Sequence, residues 1–234
     1  MKSNFLIFST FIFFLTLFSA CENDEDTKPI GIELEMKAVS QIASMRKATL
    51  EDNIVFTEVL LGVTELEFEE AMNDDSEIEY EGNYIVDLLN GTSTPDFGFS
   101  DLLPGIYSEL EVELEPILSD GNSVKIVFEY TKDGEEPVTI EYTDDDEIEF
   151  EIESDYDFEV DEDAISKVLI LFDLDVLLAG VDFSSAKVDA DGIIRINDNS
   201  NEALKDILED NFEAAFESGE DNDDDDDFDD DDDD

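Results

Sequence analysis

The chain has 234 residues, and its 69 acidic against 11 basic side chains give a formal net charge of −58. Such a chain repels phosphate polyanions and anionic lipid headgroups, which are bound by neutralising them with Lys and Arg, so no nucleic acid is expected as a partner. His and Trp are absent, which removes the commonest general base and transition-metal ligand. Hydrophobic residues still make up 41% of the chain, with 18 Phe, enough to bury a core rather than stay unfolded.

The first twenty residues read as an export signal. Lys2 supplies a positive n-region, Phe5 to Phe18 an apolar stretch too short to span a bilayer comfortably, and Ser19-Ala20 the small residues before a cleavage site. Leu17-Phe18-Ser19-Ala20-Cys21 resembles the lipobox of bacterial lipoproteins. The resemblance implies that Cys21, the only cysteine, is the lipid anchor, and two or three acyl chains would hold a protein stably at a membrane. The next residues, Glu22-Asn23-Asp24-Glu25-Asp26, resemble the surface-export signal of Bacteroidota lipoproteins. An outer-membrane, lipid-anchored, surface-facing location is therefore expected, with a periplasm-facing one as the alternative, in which the acidic run is a plain tether.

The expected organisation is a signal peptide over 1–20, an acidic tether over 21–29, a β-sandwich domain over 30–217 and a disordered poly-Asp tail over 218–234. Ile30, Ile32, Leu34, Met36 and Ala38 alternate as one strand with a buried face. Residues 40–47 form a turn or brief helix in this reading. Between 54 and 70 the alternation is less clean, with Ile54, Phe56, Glu58 and Leu60 on one parity and Leu66 and Phe68 after Gly62, which predicts two strand pieces joined by a bend. Ile78, Tyr80, Tyr84, Val86 and Leu88 mark a strand with a bulge near Gly82, and Ile106, Ser108, Leu110, Val112 and Leu114 mark another. Val124 to Tyr130 and Val138 to Tyr142 flank Lys132-Asp133-Gly134 as a hairpin, and Ile148, Phe150 and Ile152 continue the series. From Val168 to Asp175 the chain is nearly continuously apolar, as for a strand buried on both faces, with a helical turn expected over 176–180 and a short strand over 192–196.

One amphipathic helix is predicted, over about 199–217, from Ala203, Leu204, Ile207, Leu208, Asn211, Phe212, Ala215 and Phe216 at helical spacing. Asn199 and Glu202 are placed to cap it. Its apolar stripe implies packing onto the sheet, or docking to a partner. From Glu220 onward nearly every residue is acidic, and such a tail cannot fold alone. The fold class that follows is mainly β, an antiparallel β-sandwich of short strands with one C-terminal amphipathic helix.

Val86-Asp87-Leu88-Leu89-Asn90-Gly91, Leu103 to Val112, Phe172-Asp173-Leu174, Ala179 to Asp182 and Asp191 to Ile194 resemble a family of Bacteroidota lipoproteins with a carbohydrate-binding-like or transthyretin-like β-sandwich. The resemblance implies a fold and carries no catalytic residues.

Calcium is the one cofactor the composition invites, since hard oxygen ligands abound. Asp189 and Asp191 are the candidate ligands: Lys187-Val188-Asp189-Ala190-Asp191-Gly192 partly resembles an EF-hand loop, but Lys187 stands in the first ligand position and a plain β-turn is the commoner use of Asp189 to Gly192. Three functions stay open. The preferred one is a non-enzymatic surface module for an extracellular glycan or an outer-membrane protein, with calcium as stabiliser. The others are a carboxylate-dependent glycan hydrolase, signalled by a cleft with two facing acids, and an envelope-structural lipoprotein.

Overall fold

The computed structural model describes residues 31–40, 54–71, 77–97, 103–132, 135–160 and 165–220. Cys21, the export signal, the acidic tether, residues 41–47, the Asp133-Gly134 turn and residues 221–234 of the poly-Asp tail lie outside the described residues, whereas 218–220, expected in that tail, are held in a strand by pairing with Ile170, Leu169 and Val168. Among the described residues no helix is long and apolar enough to cross a membrane.

The fold is mainly β, as its alternating runs require, with strands in two sheets and one C-terminal helix. Strands β1 (Gly31–Val39), β2 (Ile54–Glu70), β3 (Glu77–Asp87), β4 (Thr92–Thr94), β5 (Gly105–Leu114), β6 (Val124–Tyr130), β7 (Val138–Asp144) and β8 (Ile148–Val160) follow one another. Then come β9 (Ile165–Asp173), the single turn α1 (Leu174–Leu177), β10 (Ile194–Ile196), α2 (Glu202–Phe212) and β11 (Phe216–Glu220). The larger sheet runs β10-β7-β6-β2-β3-β4, with β5 bonded to β2 and carrying β8 on its far side; the smaller runs β1-β9-β11. Most pairs are antiparallel, while β1 with β9 and β10 with β7 are parallel. One apolar core is shared by the two sheets, from Ile32 and Met36 through Leu61, Phe68 and Phe128 to Phe172.

β2 corrects the expected pair of short pieces: it is one strand of 17 residues. Its buried positions are Phe56, then Val59, Leu61 and Val63, then Leu66 and Phe68. The parity changes twice because an extra residue bulges out each time, between Phe56 and Glu58 against β6 and between Val63 and Glu65 against β5. A threonine stands at each bulge and donates its hydroxyl to the partner strand, Thr57 Oγ1 to Val127 O at 3.1 Å and Thr64 Oγ1 to Glu113 O at 3.4 Å. Between the bulges the chain forks at Gly62, where β6 begins and β5 ends along the same edge of β2. Gly62 N donates to Ser123 O at 2.8 Å and its carbonyl accepts from Glu115 N at 2.9 Å. A Cβ there would meet Glu115 O at 2.6 Å and Ile117 Cγ1 at 2.7 Å; the glycine is needed for this close approach, not to end a strand.

The bulge expected near Gly82 is present, since Val63 faces Tyr84 while Glu65 faces Glu81. In β5 the expected parity holds from Leu110 onward but not before it: Ile106 is exposed and Tyr107 buried. An extra residue at Ser108, between the partners of Glu69 and Glu70, shifts the phase. β9 is the central strand of its sheet and is buried from Val168 to Phe172. Asp173, an apparent interruption of that apolar run, caps α1 by accepting from Asp175 N at 2.7 Å and Val176 N at 3.3 Å. The helical turn therefore begins at Leu174, two residues earlier than expected.

α2 is shorter than predicted. The chain leaves the helix at Phe212, passes through a 3₁₀ turn over Glu213–Ala215 and re-enters the smaller sheet, where Phe216 pairs with Phe172. Phe216 thus serves a strand, and Phe150, Phe172, Phe212 and Phe216 form a cluster with ring centroids 4.5 to 5.8 Å apart. Asn199 is not the cap: Asn201 precedes the helix in the left-handed region, and its side chain instead receives Lys187 N and donates to Arg195 O. Asn211, the polar break in the stripe, donates to Leu177 O at 3.0 Å and Ala179 O at 2.9 Å, satisfying carbonyls at the end of α1. Ala203 is exposed, and the inward positions are Lys205, Leu208 and Phe212.

Candidate functional site

The strands of the larger sheet carry an outward pattern that the hydrophobic alternation conceals. Glu81, Glu65, Glu113 and Glu149 stand side by side on β3, β2, β5 and β8, and Glu79, Glu67, Glu111 and Glu151 form the next row. In backbone register a third row follows, Glu77, Glu69, Glu109 and Glu153. Three rows of four consecutive positions across four strands are glutamate. The residues between them, among them Leu66, Phe68, Leu110, Val112, Phe150 and Ile152, are buried, so the apolar period fixes the glutamate period on the opposite face. No Lys or Arg occurs between Lys47 and Lys125 or between Lys132 and Lys167, so none of these four strands contains a cation.

Like charges directly opposite in a sheet cost about 0.2–1 kcal/mol a pair. The central column registers this strain. Glu111 is pushed above the ordinary 4.5 by burial and then by the charges of Glu149, Glu67 and Glu151. Glu113 is pushed the same way by burial, then by Glu65, Glu115, Glu147 and Glu149. Carboxylate oxygens converge closely enough to hold a metal ion in two places on this face, Glu65 with Glu67 and Glu79, and Glu113 with Glu115 and Glu147, each within 4.8 Å.

At the edge marked by Glu147 and Glu149 the face runs into a cleft of about 330 Å³, which Tyr142, Asp144, Asp146, Ile148, Glu209 and Phe212 also line. Beside it lies a buried cation. Lys205 Nζ is 2.6 Å from Asp198, 2.9 Å from Glu209, 3.2 Å from Asp146 and 3.3 Å from Asp144. Its side chain is 5% exposed and that of Asp144 1%. Burial alone would lower the Lys205 pKa; the hydrogen bonds to Asp198 and Glu209, the Asp144 charge and the Asp146 hydrogen bond outweigh it and hold the ammonium above the ordinary 10.5. Asp144 is fixed in turn, accepting from Tyr142 Oη at 3.2 Å and from Asp146 N at 3.0 Å. Burial, then Asp144, pushes the Tyr142 phenol up. Asp144, Asp146 and Glu209 have the spacing of a metal cluster, but Lys205 already supplies a cation to all three.

The two sequence-derived calcium candidates are brought together with an arginine between them. Arg195 Nη1 lies 2.9 Å from Asp189 Oδ2, Nη2 lies 2.9 Å from Asp191 Oδ2, and Nε lies 3.3 Å from Glu141. Hydrogen bonds from Arg195 and from Ile193 N hold the Asp191 carboxyl below its ordinary 3.8. Asp189 O accepts from Gly192 N at 3.0 Å, with Gly192 at φ +89°, so Asp189 to Gly192 is a turn stapled to β10 and β7. Lys205 and the glutamate rows escaped sequence reasoning. Their signals were present, Lys205 at the i, i+3, i+7 spacing with Leu208 and Phe212, and the rows in four runs of Glu at every second residue.

No protein-family model, curated protein or solved structure matches this chain. A sandwich architecture alone supports many activities, so the residues and their geometry carry the functional reading.

Proposed function

We propose that the chain is a lipid-anchored, non-catalytic surface module of the outer membrane whose glutamate face collects divalent cations, calcium above all, and so presents a bridging surface to an extracellular glycan or a neighbouring envelope protein. The observation that carries this reading is the pair of glutamate rows on the larger sheet, at which Glu65, Glu67 and Glu79, and Glu113 with the neighbouring Glu115 and Glu147, bring three carboxylates each within 4.8 Å. Hard oxygen ligands on an open sheet suit a weakly held cation, in the affinity range of about 10⁻⁴–10⁻³ M used by extracellular calcium modules. The anchor rests on the lipobox-like context of Cys21 and the address on Glu22 to Asp26.

The binding reading is favoured over a glycan hydrolase by where the acids stand. Asp144, Asp146 and Glu209 in the cleft are ion-paired to Lys205, while Glu111 and Glu113, the glutamates with raised pKa, belong to the sheet face. Isothermal titration of the full chain with calcium at fixed ionic strength tests the ligand, and palmitate labelling with protease shaving of intact cells tests the anchor and the address. Absence of any calcium heat, or an unlabelled Cys21, would remove the corresponding part.

A further inference from the structure

β2 runs the length of the molecule, and its 17 residues span about 50 Å at 3.2–3.4 Å a residue. At one pole its first residue, Ile54, pairs with Tyr130, and Tyr130 with Val138. Val188 lies at that pole too, next to Asp189, whose N–H donates to Ile193 O where β10 comes alongside the start of β7. At the other pole the last residue of β2, Glu70, pairs with Tyr107, and Gly105 pairs with Val160. Residues 161–164 lead from there to Ile165, which opens β9 and pairs with Gly31, the first residue of β1. The segment that leads back to Cys21 therefore joins the body at the Glu70 pole.

Among the described residues five large apolar side chains are exposed. Three of them stand at the Glu70 pole, Leu103 at 68%, Ile165 at 46% and Ile106 at 37%, while Val188 at 50% stands at the opposite one. Single exposed apolar residues are ordinary; three at the pole where the anchoring segment enters are not. From Cys21 to Gly31 is ten residues, a reach of at most about 33–36 Å. An anchor at Cys21 thus cannot let the far pole, about 50 Å away, turn down onto the bilayer. Tethering also makes the near contact intramolecular, so a weak affinity suffices. We infer, on the strength of the lipid anchor proposed for Cys21, that the Glu70 pole rests on the phospholipid surface, with Leu103, Ile106 and Ile165 set among the headgroups and the Val188 pole presented outward. Acids restrict the choice of surface. Glu70 stands beside the contact, and Glu220 pairs with Val168, so the tail that follows it leaves at the same pole. A surface without net negative charge is the one that fits.

Cys21 is the only native cysteine and the anchor occupies its sulfur, so Leu103→Cys, Ile165→Cys or Val188→Cys each gives the lipidated chain a single free thiol. An environment-sensitive fluorophore is attached there, and the chain is placed in phosphatidylcholine vesicles that contain a doxyl-labelled phosphatidylcholine as quencher. Flotation with the vesicles reports the anchor; quenching reports the contact. Labels at Leu103 and Ile165 are expected to be quenched at least three-fold more than the label at Val188. Leu103→Ser with Ile106→Ser, made in the Ile165→Cys chain, is expected to lower its quenching at least two-fold, as is replacing part of the phosphatidylcholine by phosphatidylglycerol, with flotation complete throughout. Floating chains with equal or no quenching at the three positions, or quenching at Ile165 that survives the serine pair or the anionic lipid, would overturn the inference and leave the anchor standing. Chains that do not float would overturn both.

Discussion

The N-terminal and C-terminal halves of β2 belong to one strand, alternate buried and outward residues in the same way, and treat charge oppositely. Around the first half, against β6, β7 and β10, acids meet cations: Lys125 lies 2.7 Å from Glu58, Arg195 gathers Glu141, Asp189 and Asp191, and Lys205 is ringed by four carboxylates. Around the second half, against β3, β5 and β8, glutamates face glutamates. The fork at Gly62 is the border between them. Arg195 holds a turn and Lys205 a buried acid, while β3, β2, β5 and β8 contain no basic residue, so like charge on their outward face is screened chiefly by solvent ions.

The largest effect is expected where compensation is buried. Lys205→Met should destabilise the fold by about 3–5 kcal/mol, since it leaves Asp144 buried without a counter-charge; urea denaturation measures it, and a loss under 1 kcal/mol would mean that Lys205 does not tie α2 to the β7–β8 connection. Adding Asp144→Asn should recover part of the loss. At the border, Gly62→Ala forces a methyl against the Glu115 carbonyl and should cost about 1–3 kcal/mol, as overpacking does.

On the glutamate face the sign reverses. Glu67→Gln and Glu111→Gln should each stabilise by about 0.2–1 kcal/mol at low salt, because each removes like-charge neighbours, and the gain should fade as salt is added. Loss of stability in both variants would show that the face is not repulsive. In the other half Glu58→Gln should be neutral or slightly destabilising, since it breaks an exposed ion pair with Lys125.

Titration divides the halves in the same way. Glu111 and Glu113 have folded pKa values raised above 4.5, so they bind protons more tightly in the folded state. Their contribution favours folding at low pH and is lost as pH rises through the folded values. Asp191 is depressed below 3.8, so its contribution is present above that value and lost as pH falls through the folded one. Denaturation midpoints followed upward from pH 4.5 should show a decline that Glu111→Gln with Glu113→Gln flattens. An unchanged slope in that double variant would mean these carboxyls do not carry the dependence.

Strand identity was legible in the sequence wherever one parity held, as in β1, β6, β7 and the start of β8. It blurred in β2 and at the start of β5 because single-residue bulges at Thr57, Thr64 and Ser108 reverse the parity, and a bulge leaves no hydrophobic signature. The helix was legible as a stripe but not in its ends, since Phe216 fits helical spacing yet pairs with Phe172 in a sheet, and pairing across the chain cannot be read from local period. Asp189 and Asp191 were legible as a turn with acids. That Arg195 staples them depends on β10 lying parallel to β7, which brings Glu141 to the same guanidinium. The glutamate rows depend on register alone: each Glu run is visible, and only the pairing of β3, β2, β5 and β8 lines the runs up.

The most direct test of the account is the thermal midpoint of the full chain with calcium against an equal ionic strength of potassium chloride, compared with that of a Glu67→Gln, Glu79→Gln, Glu111→Gln variant. Calcium is expected to raise the midpoint of the parent chain, and most of this rise is expected to disappear in the variant, whose midpoint without calcium is already higher. Equal calcium shifts in the two proteins, or none in either, would contradict it.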